Sequence, residues 1–95
     1  MRLKKEFMIR NIAGQDVIIA TGSAAMKYNG LLTVSPTARF ILEHYEEAAD
    51  LSDMTRMVLE EFEVDPETAA RDVAHFTQTM LERGFIELSD ARKGW

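Results

Sequence analysis

The chain has 95 residues, 46% of them hydrophobic, no cysteine and a formal net charge of −5. That suffices for one domain with one core, and it is too little for a core plus a roomy internal active site. No apolar run approaches the roughly 20 residues that span a bilayer, and without cysteine there can be no disulfide, thiolate metal site or cysteine nucleophile in this chain. The basic opening at Arg2, Lys4 and Lys5 is followed by Phe7-Met8-Ile9, which Arg10-Asn11 interrupts at once. No signal-peptide pattern results, and a reducing, cytoplasmic setting is expected, without a membrane.

The charge is unevenly spread. Residues 1–42 carry six basic side chains (Arg2, Lys4, Lys5, Arg10, Lys27, Arg39) against Glu6 and Asp16, whereas residues 43–72 carry eleven acids against Arg56 and Arg71. A basic strand half and an acidic helical half can simply be two solvated faces. The sharper reading is that a basic sheet edge steers an acidic peptide towards it.

Residues 7–12 mix apolar and polar positions at strand period, Ala13-Gly14-Gln15-Asp16 has turn chemistry, and the β-branched 17–21 follows at hairpin distance. An antiparallel pair is expected. The connection from Gly22 to Gly30 is longer; Ala24-Ala25-Met26 suits a helical turn and Asn29-Gly30 a reverse turn. Leu31-Leu32-Thr33-Val34 reads as a third strand that stops at Ser35-Pro36.

Three helices then follow. Ser35 as N-cap with Pro36 at the first position opens one, because the hydroxyl accepts an orphan amide and proline lacks a donor that would be wasted there. Its apolar positions are Ala38, Ile41, Leu42 and Tyr45. Ser52 is the expected cap of the second, which carries Met54, Met57, Val58, Leu59 and Phe62. Asp65 caps the third, again with proline next. Ala69, Val73, Phe76 and Met80 form its main stripe, and Ala70, Ala74, Thr77 and Leu81 an adjacent one. Gly84 is the expected helix stop, and residues 85–88 leave in extended form. The tail, 89–95, is polar apart from Trp95 and is expected to be flexible.

Catalytic chemistry finds no foothold. His44 and His75 lie on different helices, and Asp72 with His75 at i, i+3 reads as a surface contact rather than a metal pair. Glu46-Glu47 and Glu60-Glu61 are adjacent in sequence, so on a helix their side chains diverge and cannot share a proton. The glycines show no phosphate-cradling spacing. The expectation is a non-enzymatic binding protein with no cofactor and no metal. Met54, Met57 and Met80 read as core filler rather than as an adaptable binding surface.

Three pieces of the chain carry a family resemblance. They are Gly30-Leu31-Leu32-Thr33-Val34-Ser35-Pro36-Thr37-Ala38 leading into Ile41-Leu42, the Val64-Asp65 helix start, and Asp72-Val73 through Phe76 and Leu81 to Arg83-Gly84-Phe85-Ile86. In order and spacing they resemble the PqqD family, the small proteins of pyrroloquinoline quinone biosynthesis, and its relatives, the recognition elements of ribosomally made and modified peptides (RiPPs). The resemblance covers residues 7–88. It implies an α+β, winged-helix-like fold with an N-terminal three-stranded antiparallel sheet followed by a three-helix bundle. Residues 1–88 would be one leader-binding domain.

The function implied is that of a peptide chaperone. Such a protein binds the leader of a precursor peptide by strand addition and presents it to a modifying enzyme, often a radical S-adenosylmethionine protein. By the match, Leu31, Leu32, Thr33 and Val34 would supply the backbone edge. The third helix would supply an apolar wall through some of Ala70, Val73, Ala74, Thr77 and Leu81, with Arg71 or Arg83 available for a leader carboxylate. The long 22–30 connection departs from the short link of the quinone-pathway members, so leader binding carries over and quinone synthesis does not. A proline at Leu32 would test the edge if the Leu32 N–H faces outward.

Two other readings share the architecture. A winged-helix DNA regulator needs a basic reading helix, but here Arg71 and Arg83 stand among Asp65, Glu67, Asp72 and Glu82, so no nucleic acid is expected. A protein-interaction adaptor is the other. An exposed edge strand can also pair with its own copy, so a monomer or a weak dimer is expected.

Overall fold

The computed structural model describes residues 1–22, 25, 31–89 and 93–95. The chain starts as β1 (Arg2–Leu3) and then forms the hairpin of β2 (Phe7–Ile12) and β3 (Gln15–Ala20). The turn is only Ala13-Gly14, both at positive φ, 52° and 83°. That mirror-image turn matches the twist of the two strands. It leaves Gln15 and Asp16 inside β3, so this strand begins two residues earlier than the sequence led us to expect. Ala13 is the strained partner, because a Cβ at positive φ crowds the following carbonyl. Ala13→Asn should therefore raise stability by about 0.5–1 kcal/mol, seen as a higher melting temperature with an unchanged spectrum.

β4 (Leu31–Val34) pairs antiparallel with β3, giving a three-stranded sheet in the order β2-β3-β4. The expected helical and reverse turns at 24–30 lie outside the described residues, Ala25 excepted. Helices α1 (Pro36–His44), α2 (Leu51–Glu61) and α3 (Pro66–Arg83) follow, and the architecture is α+β as expected. Ser35 and Asp65 cap α1 and α3 through side chains that accept from Ala38 N and Thr68 N.

The cap of α2 differs from expectation. Asp50, not Ser52, is the N-cap, its Oδ1 accepting from Asp53 N at 2.7 Å, while Asp53 Oδ2 accepts from Ala49 N at 2.9 Å. Each acid satisfies an amide near the other, and a charged oxygen at a helix N-terminus outcompetes the serine hydroxyl two residues on. These bonds, with Ala49 N–H first and Arg56 next, hold the Asp53 carboxyl below its usual range.

Gly84 closes α3 at φ 79°, its N–H donating to Leu81 O and Met80 O. The chain then turns into β5 (Ile86–Glu87), which pairs with β1 as a separate two-stranded sheet. The expected extended exit was real, but its partner was invisible in sequence. A two-residue strand has no period to read, and Arg2↔Glu87 joins positions at opposite ends of the chain.

The core lies between the sheet and the helices. Ile18, Ile41, Leu42, Tyr45, Met54, Val58, Val73 and Met80 are buried there, with Leu32 and Val34 packed against them from β4. Arg39 ties sheet to helix: its guanidinium donates to Asp16 at the start of β3 and to Glu43 one turn further along α1, both at 2.5 Å. With Asn11 beside it as well, the Asp16 carboxyl is held below the usual carboxylate range, chiefly by Arg39.

Tyr45 is fully buried, and its hydroxyl shares a 2.8 Å hydrogen bond with the Thr77 hydroxyl. Trp95, in the tail expected to be flexible, sets its ring edge-on to Tyr45 at 5.5 Å, and Gly94 N donates to Ala49 O at 2.9 Å. Burial pushes the Tyr45 hydroxyl up to about 12, with the Thr77 bond opposing. The folded state then holds a proton that the unfolded chain releases above pH 10. This contribution is complete below pH 10 and is lost between pH 10 and 12, a change of roughly 2–3 kcal/mol. Tyr45→Phe should flatten that step in denaturant titrations. At neutral pH it should cost about 1–3 kcal/mol, because the buried Thr77 hydroxyl loses its partner.

Candidate functional site

The direction of the β4 backbone follows from the hairpin. Thr21 N donates to Glu6 O at 2.6 Å, which continues the β2–β3 register one pair beyond Phe7↔Ala20. In an antiparallel ladder, hydrogen-bonded pairs alternate with unbonded ones. Residues 15, 17, 19 and 21 therefore bond towards β2, and residues 16, 18 and 20 face β4. Asp16↔Val34 and Ile18↔Leu32 are then the bonded pairs, whereas Val17↔Thr33 and Ile19↔Leu31 are not. So Leu32 and Val34 turn their amides and carbonyls inward, to β3. Leu31 and Thr33 turn theirs outward, to an edge that no strand among the described residues covers.

Side chains alternate the same way. Leu31 and Thr33 are exposed, while Leu32 and Val34 are half-buried and lie on the core face with Ile18. A strand laid against β4 would place the residues opposite Leu32 and Val34 on that same inner face. Just past the end of β4, from Ser35 into α1, the structure offers a cavity of about 430 Å³ that is lined by the helices and by no β4 residue. Ser35, Thr37, Ala38 and Ile41 form one wall, Val58 and Phe62 of α2 with Glu63 and Val64 another, and Ala69, Asp72, Val73 and Phe76 of α3 a third.

The residues named from sequence divide clearly. Leu31 to Val34 form the open edge. Of the α3 residues, Val73 reaches the cavity, but it is 1% exposed and belongs to the core. Thr77 is buried against Tyr45. Ala70, Ala74 and Leu81 are exposed on the other flank of α3, Arg71 is exposed, and none of them lines this cavity. Arg83 is exposed in the last turn. Asp72 and Phe76, read from sequence only as a surface contact and a core position, do line it, as do Phe62, Glu63 and Val64. The signal that could have found them is angular: residues 69, 72, 73 and 76 share one flank of a helix.

The basic sheet edge is not at β4. Leu31-Leu32-Thr33-Val34 is uncharged, and Arg10 sits on β2, the opposite edge, donating to Ile9 O at 2.8 Å. Arg2 is paired with Glu87 at 2.9 Å, and Arg39 with Asp16 and Glu43.

Among the described residues no group of three His, Asp or Glu side chains could hold a metal, and no helix is long and apolar enough to cross a membrane. The arrangement offers backbone donors and acceptors along one line and an apolar recess near them.

The sequence model of the family described as coenzyme PQQ synthesis protein D (PqqD) matches residues 17–86, from β3 through β5. The chain belongs to the PqqD family. The match begins inside the hairpin and takes in the β4 edge, all three helices and every residue lining the cavity. Two solved structures share the PqqD-like fold seen here. TbiB1 in complex with the TbiA(beta) leader peptide superposes with a TM-score of 0.68 at 16% identity, over 95% of this chain and all of that one. Lasso peptide synthetase B1 complexed with the leader peptide superposes with a TM-score of 0.66 at 22% identity, over 87% of this chain and 92% of its own. Among curated proteins none matches significantly.

Proposed function

We propose that this PqqD-family protein binds the leader segment of a ribosomally made precursor peptide. The leader adds as a strand along β4 and projects alternate side chains into the neighbouring cavity. The observation that carries this reading is the open edge at Leu31 and Thr33 beside that cavity. Each of the two residues presents an N–H and a C=O, and strand addition satisfies all of them while the recess supplies register. The two solved structures of the same fold support it, since both hold a leader peptide.

In this reading the peptide contacts are the backbone of Leu31 and Thr33, the inward side chains of Leu32 and Val34, and the Asp72 and Phe76 flank of α3. Ala70, Ala74 and Leu81 lie on the far flank and are free for another partner. That partner is a modifying enzyme, of the radical S-adenosylmethionine class, to which this chain delivers the peptide. The protein itself does no chemistry and takes no cofactor. It works in the cytoplasm as a monomer or weak dimer, its sheet and helices are arranged in the winged-helix manner, and residues 1–88 form the binding domain, onto which Trp95 packs. DNA binding would need a basic reading helix, and α3 exposes Glu67, Asp72 and Glu82 beside Arg71 and Arg83.

Fluorescence anisotropy with a labelled leader, from a precursor peptide encoded beside this chain, tests the reading. Saturable binding that a scrambled leader does not compete for is the expected result. Equal affinity for both peptides would sink it.

A further inference from the structure

The cavity beside β4 is apolar in its depth and acidic at its rim, and the acidity is not neutralised. Ala38, Val64, Ala69 and Phe76 give it hydrocarbon walls, while Glu63 and Asp72 are the charged residues among those that line it. Both are exposed, and among the described residues neither carboxylate has a hydrogen bond or an ion pair. Some of the other acids of this region are paired. Asp53 and Glu60 each hold Arg56 at 2.7 Å, and Glu43 holds Arg39. Among the described residues Arg71, next to Asp72 in sequence, makes no such bridge. Two unpaired carboxylates on the rim of a hydrocarbon recess fit one kind of side chain: a long apolar stem with a cationic head.

We propose that the cavity is a specificity pocket for a lysine or arginine of the leader. This rests on the leader-binding reading above and adds the chemistry of one position to it. The basic residue stands opposite Leu32 or Val34, where an added strand turns its side chain inward. Its stem lies on Ala38, Val64 and Phe76, and its head meets Glu63 and Asp72. At about 430 Å³ the recess falls within the roughly 300–1,000 Å³ of ordinary ligand pockets, so it admits such a side chain together with part of a neighbour. The polarity is the reverse of what the basic N-terminal half suggests. There Arg2 and Arg39 are already paired, whereas here the carboxylates wait for a cation.

The test is a set of leader-binding titrations on the whole chain, comparing wild type with Glu63→Gln, Asp72→Asn and the double variant at low and high salt. Both positions are exposed, so the variants should keep the wild-type circular dichroism and melting temperature. With about 1.5–5-fold per partly exposed charge pair, the double variant should bind the leader about 2–25-fold more weakly and lose most of its salt dependence. Replacing one particular lysine or arginine of the leader by glutamine should reproduce that loss, and should cost nothing further in the double variant. Unchanged affinity and salt dependence in the double variant, or tight binding of a leader without lysine or arginine, would overturn the pocket assignment and leave leader binding standing. No binding of any leader by the wild type would remove both.

Discussion

A Thr33→Pro variant should fold normally and bind the leader roughly 10–100-fold more weakly, a loss of about 1–3 kcal/mol. The reason is the alternation along β4. Thr33 is opposite Val17 at an unbonded pair, so its N–H points away from the sheet and its side chain is exposed. Proline at an outward edge position removes no bond of the ladder, which is why folded sheets tolerate it there. It does remove the donor that an incoming strand must find, and its ring stands where that strand would lie.

The neighbouring Leu32→Pro is a different experiment. Leu32 bonds inward to Ile18, so proline there breaks the β3–β4 pairing and takes a half-buried side chain off the core. That change should lower the melting temperature before it says anything about the leader. Circular dichroism and anisotropy on the two variants separate the cases: intact spectrum with lost binding for Thr33→Pro, damaged spectrum for Leu32→Pro. Full affinity in a folded Thr33→Pro protein would mean that the leader does not use this edge.

Val73→Asp should leave the protein largely unfolded. Val73 is 1% exposed at the centre of α3, against Ile41, Val58 and the rest of the core. The change removes a buried aliphatic side chain worth about 1.5–3 kcal/mol and puts a carboxylate with no partner in its place, at a further several kcal/mol. A domain of this size has roughly 5–15 kcal/mol in all. Leu81→Asp, at 41% exposure on the other flank of the same helix, should keep the fold and the affinity for leader. Thermal melts of the pair give the result directly. A folded Val73→Asp protein with weakened leader binding would instead make Val73 a groove residue and redraw the core face of α3.

Much of the fold is legible in the sequence because its signals are local. The limits of β4, the serine and aspartate caps of α1 and α3, the glycine stop at Gly84 and the stripe Ala69-Val73-Phe76-Met80 each depend on a few neighbouring residues, and each stands as read. Asp50 displaced Ser52 as the cap of α2 because two acids, Asp50 and Asp53, could serve two amides at once. The β1–β5 pair escaped because it is long-range and only two residues deep.

The site was half legible. Its edge came from strand propensity and the Ser35-Pro36 stop, but which amides face outward follows only from register, set by the two-residue turn at Ala13-Gly14. The helical wall was harder. Two apolar stripes on α3 look alike in sequence, and it takes the packed bundle to turn one inward, to leave Ala70, Ala74 and Leu81 exposed, and to bring Phe62, Glu63 and Val64 from before α3 to the same recess as Asp72 and Phe76.

The measurement that bears most directly on strand addition is a two-dimensional NMR titration of the labelled protein with the leader peptide. Strand addition predicts large shifts at the amides of Leu31 and Thr33 with slowed hydrogen exchange there, accompanied by shifts at Asp72, Val73 and Phe76. Ala70, Ala74 and Leu81 should stay where they are. Saturating shifts confined to that far flank, or spread over β2 with Leu31 and Thr33 unmoved, would contradict it.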